Sequence, residues 1–209
     1  MDLHARLPDA GAGWVWDQGL YERLLKTTGG KERIAAYLKG DLGVAPAPHA
    51  DLIAQTHAAK TRRYAELMAP GQIALRPGIE EIIARAREAG LALGVATTTS
   101  AANIDALTLA TLGKPARAVF DAVAAGDEVA AKKPAPDVYE LALARLGLPA
   151  QDCLALEDSR NGLLSAKAAG LRCLVCPGVY TRAESFPEAD RVTAAFSWED
   201  IVALDAPAG

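Results

Sequence analysis

The chain has 209 residues, enough for one α/β domain or for a domain with a modest second module. It is 51% hydrophobic but only 5% aromatic, a balance that suits helices on a parallel sheet better than a sandwich. The net charge of −4 excludes a general nucleic-acid surface, and no apolar run approaches the ~18 residues that would span a membrane. The N-terminal MDLHARLPDAG carries no apolar signal segment, so a cytoplasmic location is expected.

Up to about residue 75 the pattern is helical. YERLLKTT (21–28) and KERIAAYLK (31–39) space their apolar residues by three and four, with Thr27–Thr28–Gly29–Gly30 breaking the helix between them. GVAPAPH (43–49) reads as a loop, because its prolines cannot continue a helix. The next stretch, ADLIAQTHAAKTRRYAELMA (50–69), reads as one long helix stopped at Pro70–Gly71. Residues 1–74 are therefore expected to form a helical domain.

From Leu75 the character changes. GIEEIIARAREAG (78–90) is a helix ended by Gly90. The apolar runs LALGVAT (91–97), VFDAVAA (119–125), CLALED (153–158) and RCLVCPG (172–178) read as strands, with DRVTAAF (190–196) as a final one. Each of the first three precedes a helical pattern: AANIDALTLATLG, APDVYELALARLG and SRNGLLSAKAAG. Alternation of this kind predicts βαβ units and a Rossmann-like parallel sheet over 75–209.

Ligands bind beyond the carboxyl ends of such strands. The first ends in Thr97–Thr98–Thr99–Ser100, more hydroxyls than the helix cap that Ser100 can supply, and a suitable anion cradle. Lys133 precedes Pro134, which restricts its backbone, and its ammonium suits a phosphate or carboxylate; Lys132 reads as a solvated loop residue. Glu157 and Asp158 close the third apolar run, and paired carboxylates there suit Mg²⁺ unless Asp158 or Ser159 merely caps the next helix. Cys173 and Cys176 spell C-x-x-C within an apolar strand and read as buried small hydrophobes. His4, His49 and His57 have no zinc-ligand spacing.

GVATTTS, KKPAPDVY and LALEDSRNGL, in this order and spacing, resemble the second, third and fourth motifs of the haloacid dehalogenase-like (HAD) phosphohydrolase superfamily. TTGGKERI, the HAAKT helix and GVYT resemble its β-phosphoglucomutase/CbbY-like branch, which carries an α-helical cap domain on the α/β core. The resemblance implies Mg²⁺-dependent hydrolysis of a sugar phosphate or bisphosphate, with a small-molecule substrate and a monomeric protein. It implies that Thr97, helped by the Thr98 backbone, binds the transferring phosphoryl group, that Lys133 neutralises it, and that Glu157 and Asp158 hold Mg²⁺. In the cap it assigns Gly30, Lys31 and Arg33 to a substrate-facing loop, and Lys60 and Arg63 to a distal phosphate, where helix-surface charge is the competing reading.

The family's first motif, D-x-D-G-T at the end of an apolar strand, is absent. Its first aspartate is the nucleophile and its second the general acid/base. Asp2, Asp9 and Asp17 lack both the strand and the spacing. That strand lies in the family between those ending at Thr97 and Asp158, so the central first strand is expected to be missing, as in an N-terminally truncated form. A phosphomutase of the β-phosphoglucomutase type and a non-catalytic phosphosugar-binding or regulatory protein are the alternatives.

Overall fold

In the computed structural model the described residues are 16–67 and 73–205, excluding the side chains of Tyr64, Ala65, Leu67 and Asp205. The chain divides into two compact units between Met68 and Ala69.

The first unit is helical. Asp17 accepts a hydrogen bond from the Leu20 amide and starts α1 (Gln18–Leu25), three residues before the first apolar position that periodicity marks. The cap explains the early start. Gly29, at φ 93°, turns the chain into α2 (Gly30–Gly40), a conformation that other residues adopt only at a cost. The proline segment holds a short 3₁₀ turn, Ala47–His49, where a plain loop is expected; Pro46 offers its carbonyl to the His49 amide. It leads directly into α3 (Ala50–Leu67). The Pro70–Gly71 stop lies outside the described residues. Leu24, Ile34, Tyr37, Leu38 and Ile53 form the core of this unit, with Trp16 edge-on to Tyr37.

The second unit alternates helices and short strands: α4 (Ile79–Glu88), β1 (Gly94–Ala96), α5 (Ala101–Leu112), α6 (Ala116–Val119), β2 (Ala122–Ala124), α7 (Asp137–Leu146), β3 (Leu154–Glu157), α8 (Arg160–Ala168), β4 (Arg172–Val175), β5 (Arg191–Val192) and α9 (Trp198–Asp205). Every strand pairing is parallel. Among the described residues the strands form two parallel sheets, β1–β2 and β3–β4–β5. The reason is that β1 and β3 each have one edge without a ladder partner there. The strands are also shorter than their apolar runs. The run at 119–125 begins as the end of α6, whose carbonyl at Ala116 accepts from the Phe120 amide, and only 122–124 pair.

α7 and α8 cover both sheets through one shared core: Ala124, Val138, Tyr139, Ala142, Ala155, Leu163, Cys173 and Val175 pack in a single cluster. Cys173 and Cys176 are both buried and free. Burial, then the nearby charges of Glu157 and Asp190, push the Cys173 thiol up to about 12, so it stays an inert thiol. No described helix is long and apolar enough to cross a membrane.

Candidate active site

The strand ends converge as parallel packing requires. After β1 the chain turns outward at Thr97, whose amide donates to the Ala124 carbonyl at the end of β2. Thr97 Oγ1 then accepts from the Thr99 amide at 3.2 Å. A hydroxyl whose oxygen is satisfied in this way keeps its own proton to donate outward. Thr99 is itself fixed, since Asn103 Nδ2 donates to its Oγ1 at 2.6 Å and its carbonyl accepts from the Gly126 amide. Gly126 is required here, because a Cβ at that position would collide with the Thr98 carbonyl. Ser100 does cap α5, through the Asn103 amide. The capping reading of Ser100 is therefore right, and it leaves three threonines unexplained by capping.

Lys133 joins the two sheets. Its Nζ donates to the Ala96 carbonyl of β1 at 2.9 Å and to Glu157 Oε1 at the end of β3 at 2.5 Å. The Lys133 and Glu157 side chains are only 11% and 7% exposed. Pairs this buried gain little net stability over an apolar substitute, but losing one partner strands the other's charge. The Glu157 carboxylate is held at both of its oxygens. Tyr139 donates its hydroxyl to the same Oε1, and Gly162, in the first turn of α8, leaves room for Oε2 where any Cβ would overlap it. Burial, then the Glu157 charge, push the Tyr139 phenol well above its usual value, so it remains a donor at neutral pH.

Asp158 behaves differently. Its carboxylate is 56% exposed, and Arg76 Nη1 lies 3.7 Å from Oδ2. Arg76 is anchored from behind by the Pro177 carbonyl and Cys176 Sγ. Partial desolvation, then the like charge of Glu157, push the Asp158 carboxyl above its usual value, while Arg76 and Lys133 pull it back. Capping of α8 falls to Ser159, which accepts from the Gly162 amide, so Asp158 is not needed as a cap. The main chain at Asp158 is held by Thr181, whose hydroxyl donates to its carbonyl.

Two adjacent carboxylates are a hard, all-oxygen donor set. Mg²⁺ keeps several waters and takes one or two protein carboxylates, so Glu157 and Asp158 suit it. No cluster of three or more His, Cys, Asp or Glu side chains forms among the described residues.

In the first unit, Gly30 opens α2 directly against the His57 ring, and a Cβ at Gly30 would collide with it. Arg33 donates to the Leu24 carbonyl at 3.2 Å and lies over the Tyr21 ring. Desolvation, then the neighbouring Arg33 charge, lower the Lys60 pKa, so these two cations share one neighbourhood. Lys31 is exposed. Arg63 pairs with Glu66 at 2.8 Å on the exposed face of α3, as the surface-charge reading expects.

Sequence reasoning missed Tyr139, Arg76, Asn103, His57 and the two close-approach glycines, Gly126 and Gly162. Three of them left a signal by lying inside quoted motifs: Tyr139 ends KKPAPDVY, Gly162 is the glycine of LALEDSRNGL, and His57 opens HAAKT.

Comparison with known proteins places the chain in a family. The haloacid dehalogenase-like hydrolase family model matches residues 8–170. CbbY of Cereibacter sphaeroides is 56% identical over 188 residues, which are 90% of this chain and 80% of that protein. The crystal structure of CbbY from Rhodobacter sphaeroides in complex with phosphate is 52% identical and superposes with a TM-score of 0.85, over 98% of this chain and 90% of that one. A mutant of CbbY from Rhodobacter sphaeroides in complex with xylulose-(1,5)bisphosphate is 53% identical, with a TM-score of 0.82 over 94% and 86%. The chain belongs to the haloacid dehalogenase-like hydrolase family, in its CbbY branch.

Proposed function

We propose that this site serves Mg²⁺-dependent transfer of a phosphoryl group from a sugar phosphate or bisphosphate to water. In this reading it is completed by an aspartate carried on a strand that pairs between β1 and β3. The observation that carries the proposal is the placement of Lys133, whose ammonium touches the last carbonyl of β1 and the last carboxylate of β3. An aspartate at the end of a strand between them would meet Thr97, Lys133 and the acidic pair together. The ligand of the Rhodobacter sphaeroides relative, xylulose-(1,5)bisphosphate, makes a ketopentose bisphosphate the first substrate to try.

The aspartate oxygen would attack phosphorus, the phosphorus–oxygen bond to the sugar would break, and the departing alkoxide would take a proton from the second aspartate of D-x-D-G-T, acting as general acid. Water would then hydrolyse the aspartyl-phosphate. Thr97 would donate its hydroxyl proton to a non-bridging phosphoryl oxygen, and Lys133 would balance the charge spread over the others. Catalysis would thus rest on positioning and charge compensation. Glu157 and Asp158 would hold Mg²⁺, which when bound neutralises phosphoryl charge. Residues 1–74 would be the cap domain and 75–209 the core domain, with Gly30, Lys31 and Arg33 reading the part of the substrate remote from the chemistry; Lys60 and Arg63 would have a lesser share, at a distal phosphate.

The experiment is phosphate release from xylulose 1,5-bisphosphate, with and without Mg²⁺. It compares the chain by itself with the chain extended at its N-terminus by an apolar segment ending in D-x-D-G-T. Turnover is expected only in the extended protein with Mg²⁺, and it should disappear when the first aspartate of that motif becomes Asn. Substrate binding without turnover in the extended protein would favour a phosphosugar-binding role instead.

A further inference from the structure

We propose that Tyr139 is a positioning residue of the metal site, fixing the Glu157 carboxylate with its hydroxyl and seating the Lys133 ammonium on its ring face. The inference rests on the reading of Glu157 and Asp158 as the Mg²⁺-binding pair.

Three contacts meet at this one side chain. Tyr139 donates to Glu157 Oε1, the oxygen that also accepts from Lys133. Lys133 Nζ stands 4.7 Å from the centre of the Tyr139 ring, within cation–π range. The ring itself is 8% exposed and packs with Val138, Ala155 and Cys173. Packing alone does not need the hydroxyl, because phenylalanine would fill the same volume. What the hydroxyl adds is a second donor on Oε1. Without it, Lys133 and Glu157 would form a closed ion pair, drawing both charges away from a ligand. A neutral donor shares the carboxylate, leaves part of the ammonium's charge for an anion, and holds the acid at one rotation against Gly162.

Partners that orient metal-ligating carboxylates are worth about 10–100-fold in metal affinity, and this range sets the expected effect of Tyr139→Phe. The test titrates the full chain with MgCl₂ alone by calorimetry. Tyr139→Phe should weaken binding by that factor. Tyr37→Phe, which alters a buried tyrosine in the other unit, should leave it unchanged. In a Glu157→Gln background, Tyr139→Phe should cause no further loss, since its effect runs through that carboxylate.

An unchanged affinity in Tyr139→Phe, or a loss repeated in full in the Glu157→Gln background, overturns the inference while leaving the metal reading intact. No Mg²⁺ binding by the unaltered chain sinks the metal reading and this inference with it. If Tyr139→Phe fails to fold, the unaltered chain labelled with ¹³C at tyrosine Cζ gives the answer. Mg²⁺ should then move one of its five tyrosine signals, and five stationary signals would overturn the inference.

Discussion

The two sheets of the second unit are built from the same kind of βαβ unit but are differently finished. β4 is paired on both sides, and its Cys173, Leu174 and Val175 are fully buried. Among the described residues β1 is paired on one side only, begins at exposed Gly94, and contributes no buried residue of its own. Yet β1 leads into the threonine run, while β4 leads into Cys176 and Pro177, which serve as anchors for Arg76. The well-paired strand supplies stability, and the half-paired strands β1 and β3 carry the groups suited to chemistry. Lys133 is the side chain that ties the two open edges together.

The sharpest way to break that contrast is to remove the tie. Lys133→Ala should destabilise the chain by about 3–5 kcal/mol, because it leaves the Glu157 carboxylate buried without its counter-charge. Lys132→Ala, at a half-buried lysine that does not bridge Ala96 and Glu157, should cost clearly less. Urea midpoints of the two variants, read side by side, decide this; equal midpoints would mean that Lys133 is not the bridge.

Core truncation probes the other half of the comparison. Leu174→Ala on β4 should cost about 2–5 kcal/mol through lost burial and the cavity it leaves. Val95→Ala on half-buried β1 should cost clearly less, and thermal melts of the pair would show it. A third substitution acts where the two regions meet. Gly162→Ala must displace the Glu157 carboxylate and should cost about 1–3 kcal/mol as an overpacking change, with weaker Mg²⁺ binding as its specific signature. Normal Mg²⁺ affinity in that variant would show that the Glu157 position does not matter.

The smallest expected effect concerns the end of β2. Glu128 pairs with Arg145 and also accepts from the Ala125 amide, and these contacts lower its pKa from the ordinary 4.5 to about 2. A folded-state pKa below the unfolded one gives stability that is complete above the unfolded value and fades as pH falls through the folded one. Glu128→Gln should therefore lower the melting temperature slightly at pH 7, and the difference from the unaltered chain should close between pH 4.5 and about 2. The pair is partly exposed, so the shift will be small. A difference that persists at pH 2 would show that the carboxylate charge is not the cause.

Much of this was legible in the residue order because it is local. Alternating apolar runs and amphipathic helices mark the parallel pairs, and Ser100 and Ser159 sit where helix caps belong. Lys133, Glu157 and Asp158 stand at segment ends, which sequence shows directly. Strand lengths were not legible, because an apolar run such as LALGVAT says what can be buried and not where a ladder partner stops. Arg76 was invisible for a different reason: it meets Cys176 across 100 residues, and nothing near Arg76 in sequence records that contact. The close approaches of Thr98 to Gly126 and of Glu157 to Gly162 are likewise tertiary, and the residue order gives no reason why glycine is needed at either place.

The central claim is that β1 and β3 flank the place of an aspartate-bearing strand, and backbone hydrogen exchange tests it most directly. A synthetic peptide with an apolar run ending in D-x-D-G-T is added to the chain, and amide exchange is followed at 94–96 and 154–157. The account predicts slower exchange in both segments together, with β5 (Arg191–Val192) unaffected because it lies at the far edge of its sheet. Protection of only one segment, or of neither at saturating peptide, would contradict it.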